Sequence, residues 1–129
     1  MRLRADLHER LTIRARGAGG ESRSALAARL IDEGLRTDSH PGIVFRPGPA
    51  GRRPGLTGGP DVWEIARVLR DIGINGEKAI EKTAKLTGLA VHQIRAAAGY
   101  YREFTDELDA WIEEVDSEAE EAYAHRARG

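Results

Sequence analysis

Residues 80–98 read IEKTAKLTGLAVHQIRAAA, and their spacing predicts two helices joined by a tight turn. A helix–turn–helix unit needs a small residue where its helices cross, a glycine in the turn and apolar residues that hold the second helix. Ala84 is the small residue, and Gly88 is free to take the left-handed conformation that the turn requires. The apolar residues are Leu89, Ile94 and Ala97. The stretch therefore predicts a helix–turn–helix.

The second helix of this unit begins with the exposed positions Ala90, His92, Gln93 and Arg95. In a DNA-binding unit this end points into the major groove, where glutamine can pair with adenine and arginine with guanine or phosphate. The same shape is common in helical domains that pack or bind a partner and never touch DNA. DNA reading and partner binding are both compatible with these residues.

An apolar stripe continues from Val91 to Tyr123 in steps of three and four residues, without a proline. An unbroken helix of about 35 residues would extend ~50 Å, whereas a compact chain of this size is roughly 35 Å across. A kink near Gly99 or Thr105 would still leave the far half uncovered. We expect a second copy or another protein to cover it. The predicted interface comprises Tyr101, Phe104, Leu108, Trp111, Ile112, Val115 and Tyr123.

Residues 1–37 predict two short helices. The first begins near Leu7 and stops at the glycine-rich residues 17–20; the second follows Ser22 and runs to about Leu35. Ser22, Arg23 and Ser24 offer hydroxyls, a guanidinium and free N–H groups at a helix start, which together form a phosphate clamp. A plain helix cap beside a solvated arginine is the alternative.

Residues 38–60 hold all five prolines of the chain, so we expect no helix there. Ile43–Phe45 is the strand-like run, and Arg52-Arg53 is the return of a loose hairpin. The segment is interpreted as a linker that leads into a helix–turn–helix-like domain over residues 61–104, whose first helix starts at Asp61. Residues 105–129 are predicted to form an acidic amphipathic helix and tail.

Composition excludes several classes of function. The chain has 129 residues and no cysteine, so it has no disulfide, thiolate metal site or cysteine nucleophile. The four histidines stand far apart, and neither a metalloprotease motif nor a glycine-rich phosphate loop occurs. We therefore expect no enzyme, no cofactor and no metal. Without a signal peptide or an apolar run of ~20 residues, we expect a cytoplasmic protein without a membrane partner.

Charge is divided between the two halves. Residues 1–60 hold eleven arginines against six acids, whereas residues 61–129 hold nine basic residues against fifteen acids. The first half therefore suits a polyanion, and the end of the second half repels one.

Two family resemblances extend these expectations. Arg2-Leu3, Leu7–Leu11, Ser22–Leu26 and Leu30-Ile31 resemble the CopG-like ribbon-helix-helix family of antitoxins and repressors. The resemblance implies that two chains pair one strand each into a DNA-binding ribbon. Ser22, Arg23 and Ser24 would then grip phosphate. The ribbon match is confined to Met1–Leu3, and Arg2 and Arg4 are the residues expected near DNA.

Residues 40–112 resemble the antitoxin-like domain-of-unknown-function family 433. The resemblance rests on His40–Phe45, Gly51–Arg53, Val62–Glu64 and Ala96–Tyr101. Members of that family are often encoded beside PIN-like ribonuclease toxins, which implies a VapB-type antitoxin here.

The sequence thus predicts a mainly α protein. A ribbon-helix-helix module (a short strand plus two helices) precedes a small β-hairpin and a helix-turn-helix-like bundle with a long C-terminal helix. The expected function is that of a homodimeric antitoxin that neutralises a PIN-like toxin and represses its own operon by binding operator DNA. Arg126 and Arg128 are expected to reach the metal-binding acids of the toxin. The alternative is a dimerisation or protein-interaction module that does not bind DNA.

Overall fold

The computed structural model describes residues 2–17, 19–49 and 51–128. The chain divides into two compact units, Met1–Ser39 and His40–Gly129. The described residues form six α-helices and one two-stranded antiparallel hairpin. The predicted mainly α class with a small hairpin is therefore confirmed.

The first unit consists of helices α1 (Ala5–Arg16) and α2 (Arg23–Ser39). The Ser22 hydroxyl accepts a hydrogen bond from the Ala25 N–H at 3.1 Å, so Ser22 caps α2 as its sequence predicts. Arg29 of α2 binds Glu21 through two hydrogen bonds of 3.1 and 3.2 Å. The hydrogen bond to Glu21 raises the pKa of the Arg29 guanidinium above its ordinary value.

The prediction of an N-terminal strand is wrong for the residues that the structure describes. Arg2–Arg4 have no regular structure, and α1 begins directly after them. A strand is stable only beside a hydrogen-bonded neighbour, and no described residue pairs with Arg2–Arg4 in a sheet. Met1 of the predicted strand and Ala18 of the predicted glycine-rich stop lie outside the described residues.

The second unit begins with strands β1 (Ile43–Arg46) and β2 (Arg53–Leu56), which pair with Ile43 opposite Leu56. Helices α3 (Val62–Asp71), α4 (Gly76–Thr87) and α5 (Val91–Glu103) follow. Gly88 lies between α4 and α5 at φ +73°, in the left-handed conformation that the predicted turn requires. The hairpin, and the turn at Gly88 between two helices, agree with the prediction.

The core of the second unit joins the hairpin to the helices. Its fully buried side chains come from β1, β2, α3, α5 and the next helix, α6 (Thr105–Arg128). They include Ile43, Leu56, Val62, Ile65, Ile94, Ala97, Tyr100, Leu108 and Ile112. The proline-rich stretch that predicted a linker therefore contributes two strands to a packed domain.

The long C-terminal stripe is not one helix. α5 ends at Glu103, Phe104 leaves the helical conformation at φ −115° and ψ 40°, and α6 begins at Thr105. The Thr105 hydroxyl donates to the Tyr101 carbonyl at 2.6 Å, which satisfies an acceptor that the break frees. Gly99 lies inside α5 and does not mark the break.

This break overturns the expectation that a partner must cover Leu108 and Ile112. Their side chains are 3% and 0% exposed because α6 folds back onto α3 within the same unit. An ion pair between Arg67 of α3 and Asp116 of α6 supports that packing. The interface prediction was wrong for these two residues because it assumed that even a kink near Thr105 would leave the far half of the stripe uncovered, whereas α6 packs on α3.

Candidate DNA and partner interfaces

The predicted phosphate clamp lies at the start of α2. Ser22, Arg23 and Ser24 are all exposed there. The Arg23 guanidinium turns back to α1, where its Nη1 lies 2.9 Å from Nε2 of His8 and 3.3 Å from Oγ1 of Thr12. Arg23 therefore links the two helices of the first unit while its charge stays at the surface, beside the N–H groups of the α2 start.

The two arginines before α1 are exposed, as a DNA contact requires. Arg4 lies 3.5 Å from Asp6 in an ion pair between two largely exposed side chains. Such a pair contributes little to stability in water, so phosphate can compete for Arg4. Arg2 is exposed as well.

The start of α5, where the helix–turn–helix would read DNA, is only partly free. His92 is exposed. The Gln93 side-chain oxygen accepts a hydrogen bond from the Ala90 N–H at 3.0 Å, so Gln93 caps its own helix. Arg95 makes a two-pronged ion pair with Glu77 of α4, with one contact of 2.8 Å. A base or phosphate would have to displace these partners.

Two residues of the predicted partner interface make contacts within the second unit instead. The Tyr101 hydroxyl donates to Asp109 of α6 at 2.6 Å. Burial, the hydrogen bond to Asp109 and the charge of that carboxylate raise the pKa of Tyr101 to about 12. Phe104 packs against Tyr100 with ring centroids 4.6 Å apart. Both side chains hold the turn between α5 and α6.

The distal half of α6, residues 117–128, is the part of the predicted interface that stays uncovered. Every side chain in it is exposed except Ala124, which is half-buried, and Tyr123 is 72% exposed. Trp111 and Val115, nearer the core, are half-buried. Arg126 and Arg128 are exposed and donate to the carbonyls of the preceding turn at 3.4 and 3.3 Å. These arginines are available to another molecule.

A polar cluster that joins the hairpin to α3 was not identified from the sequence. Asp61 forms ion pairs with Arg53 and, at 3.6 Å, with Arg46, and it accepts the indole N–H of Trp63 at 3.3 Å. Arg46 also donates to the carbonyls of Leu56 at 3.3 Å and Pro60 at 3.0 Å. The cluster ties both strands to the start of α3.

The glycines of the hairpin are the sequence signal for that cluster. A Cβ placed on Gly55 would lie 1.8 Å from the Arg46 guanidinium, and one on Gly48 would lie 1.9 Å from that of Arg53. Each arginine thus packs against bare backbone. A glycine near an arginine of the same hairpin is the pattern that points to such packing.

Reasoning from the sequence also missed the contact between His40 and α5. The imidazole of His40 hydrogen-bonds to Glu103 and meets the rings of Tyr100 and Phe104 edge-on at 5.2 and 5.9 Å. His40 therefore anchors the start of the second unit to the end of α5.

In the described part of the chain, no group of three or more histidine, aspartate or glutamate side chains is arranged to hold a metal ion. None of the helices there has both the length and the apolar character needed to cross a lipid bilayer. Comparisons with protein-family models, curated proteins and solved structures return no significant match to this chain.

Proposed function

We propose that this chain is the antitoxin of a type II toxin–antitoxin system. In this proposal it binds and inhibits a PIN-like ribonuclease through its C-terminal helix and represses its own operon by binding DNA. The two family resemblances suggest the function, and the exposed distal half of α6 is the structural observation that supports it most.

A helical segment with almost no cover gains stability from a partner. Helices of about a dozen residues are marginal in water when they pack against nothing, and an amphipathic helix commonly docks into a groove on another protein. Residues 117–128 form such a segment, with Tyr123 as its large exposed side chain. Aromatic residues of this kind often carry much of the binding energy at protein interfaces.

The charges of this segment fit a ribonuclease. The RNA-binding surface of a ribonuclease is basic. The segment carries the acidic residues Glu118, Glu120 and Glu121, whose charge is opposite to that of such a surface. None of these three carboxylates has an ion-pair partner among the described residues. Arg126 and Arg128 lie one to two turns farther on, where they would pair with the acids that hold the metal of the nuclease.

Inhibition of the nuclease encoded beside this chain tests the proposal. The intact chain is expected to abolish RNA cleavage at equimolar concentration, and Arg126→Ala/Arg128→Ala together are expected to weaken inhibition by about tenfold or more. Arg102→Ala is the matched control, since Arg102 is also exposed and has no ion pair in the described structure. Full nuclease activity with an excess of the folded chain would contradict the proposal.

DNA binding in this proposal uses the basic first unit. The exposed start of α2 offers N–H groups and the hydroxyls of Ser22 and Ser24 for phosphate, and Arg2 and Arg4 lie before α1. A gel-shift series on the promoter region is expected to show specific binding that weakens steeply with salt. Arg23→Gln is expected to lower the salt slope by about one phosphate contact.

One observation favours the alternative, an interaction module that does not bind DNA. Gln93 and Arg95, the predicted base-reading side chains, are both engaged within their own unit. The same gel-shift series distinguishes the two functions. Weak binding that ignores DNA sequence, together with intact nuclease inhibition, would support the interaction module and remove the repressor role.

A further inference from the structure

Helix α4 carries every lysine of the chain. Lys78, Lys82 and Lys85 stand at positions i, i+4 and i+7 of this helix. At about 100° per residue they fall within an arc of roughly 60° around the helix axis, so they form one line along its surface. This set is called the lysine row below.

The lysine row stands on the solvent side of α4. All three lysines are exposed. The side of α4 that packs within its unit carries the buried or half-buried residues Ala79, Ile80, Thr83 and Ala84, and helical geometry places the row roughly opposite to them. The row can therefore meet another molecule without any change in the packing of α4 on its own unit.

No ion pair neutralises the lysine row within the described part of the chain. Glu81 lies one turn from Lys78 and Lys85, a spacing that allows an ion pair on a helix, yet none of the three lysines pairs with an acid among the described residues. Glu77, the other acid of α4, is held by Arg95 of α5. The outer face of α4 therefore presents three positive charges against the single negative charge of Glu81.

This positive surplus is local to α4. Helix α6 of the same unit carries nine acids and two arginines. A nucleic acid is repelled by the acidic surface of α6 and attracted by the lysine row, because the sign of the local charge steers the approach of a charged partner. The row is thus a basic island in the half of the sequence whose overall charge is negative.

The chemistry of lysine favours phosphate over a protein surface. Lysine is depleted at protein–protein interfaces, which use arginine and aromatic residues instead, whereas its compact ammonium group is a common partner of phosphate. The row extends ~10 Å along α4 at about 1.5 Å per residue. One strand of B-DNA presents a phosphate every ~3.4 Å along its axis, so the row spans about three phosphates.

We propose that the lysine row binds the phosphate backbone of duplex DNA, so that the second unit contacts DNA through α4. Gln93 and Arg95 at the start of α5 keep their partners within the unit, because a backbone contact needs no base reading. Such contacts add affinity without sequence preference. The inference rests on the DNA-binding part of the proposed function and adds to it a second contact surface, separate from the residues of the first unit.

A gel-shift salt series tests this inference with the full-length chain, on the promoter region and on an unrelated duplex of equal length. The triple variant Lys78→Gln/Lys82→Gln/Lys85→Gln is expected to lower the slope of log K against log salt by about 2–3, since each phosphate contact contributes about 0.9. It is expected to weaken binding to both duplexes by the same factor, because phosphate contacts carry no sequence information.

Two control variants accompany the triple Lys→Gln variant. Replacement of the same three lysines by arginine keeps the charge and is expected to retain the slope. Arg102→Gln removes a positive charge from α5 of the same unit, where Arg102 is exposed and has no ion pair in the described structure, and it is expected to leave the slope unchanged. Trp63 and Trp111 both lie in the second unit, and native tryptophan fluorescence in every variant is expected to exclude unfolding as the cause of a loss.

A slope that the triple Lys→Gln variant leaves unchanged would overturn the inference. If Arg23→Gln still lowered the slope in that case, DNA binding by the first unit, and with it the proposed function, would stand. Absence of DNA binding by the wild type would remove both the lysine-row contact and the repressor role. Loss of nuclease inhibition in the triple variant, with DNA binding unchanged, would assign the row to an acidic protein surface and would also overturn the inference.

Discussion

An Ile112→Ala substitution tests whether α6 is covered by its own unit or by a partner molecule. The Ile112 side chain is fully buried in the core of the second unit. Three buried carbons are removed at about 0.8 kcal/mol each, and the cavity left behind raises the total loss of unfolding free energy to about 3–4 kcal/mol. Tyr123→Ala, at a position 72% exposed on the same helix, is expected to change stability by less than about 0.5 kcal/mol.

Urea unfolding of the isolated chain, followed by tryptophan fluorescence, measures both changes. Trp63 and Trp111 report on the second unit alone. If Ile112→Ala does not fold, Ile112→Val is expected to cost about 0.5–1.5 kcal/mol and keeps the measurement possible. A cost below about 1 kcal/mol for Ile112→Ala, with a larger effect on partner binding, would refute the packing of α6 on its own unit.

Four further substitutions in the second unit have expected outcomes. Thr83→Val should raise the free energy of unfolding by about 1 kcal/mol in the same urea assay, since the fully buried Thr83 hydroxyl has no hydrogen-bond partner among the described residues. A loss of stability would show that the hydroxyl is satisfied. Gly55→Ala should lower the free energy of unfolding by about 1–3 kcal/mol, because the new Cβ displaces Arg46 from two backbone carbonyls. Gly99→Ala is the contrasting substitution: its Cβ meets no atom within 4 Å, and it should stabilise α5 by about 0.5–1 kcal/mol. Tyr101 should ionise near pH 12 in an ultraviolet titration, and Asp109→Asn should bring that step closer to the ordinary value of about 10. Since the folded pKa is the higher one, the Tyr101 contribution to stability is complete below about pH 10 and is lost as the pH rises toward 12; a Tyr101 step unmoved by Asp109→Asn would contradict the assigned hydrogen bond.

The candidate interfaces show which features of the structure helical periodicity predicts and which it does not. The exposed start of α2, the exposed end of α6 and the His92 position follow from helical periodicity, because a helix places residues on faces in a fixed order. The engagement of Arg95 by Glu77 does not follow from it, since the two residues are eighteen positions apart. The contact exists only because α4 and α5 cross where the chain turns at Gly88.

Local signals in the sequence determined most of the element boundaries. Ser22 starts α2, Gly88 separates α4 from α5, and Ile43–Phe45 forms a strand, because capping, backbone freedom and alternation act over a few residues. The sequence offered Gly99 and Thr105 as possible kink positions, and only the tertiary structure decided that the chain breaks at Phe104, directly before Thr105. That break depends on distant partners, the ring of His40 and the ion pair between Arg67 and Asp116. An apolar stripe specifies that a helix face will be covered, but the path of the rest of the chain determines what covers it.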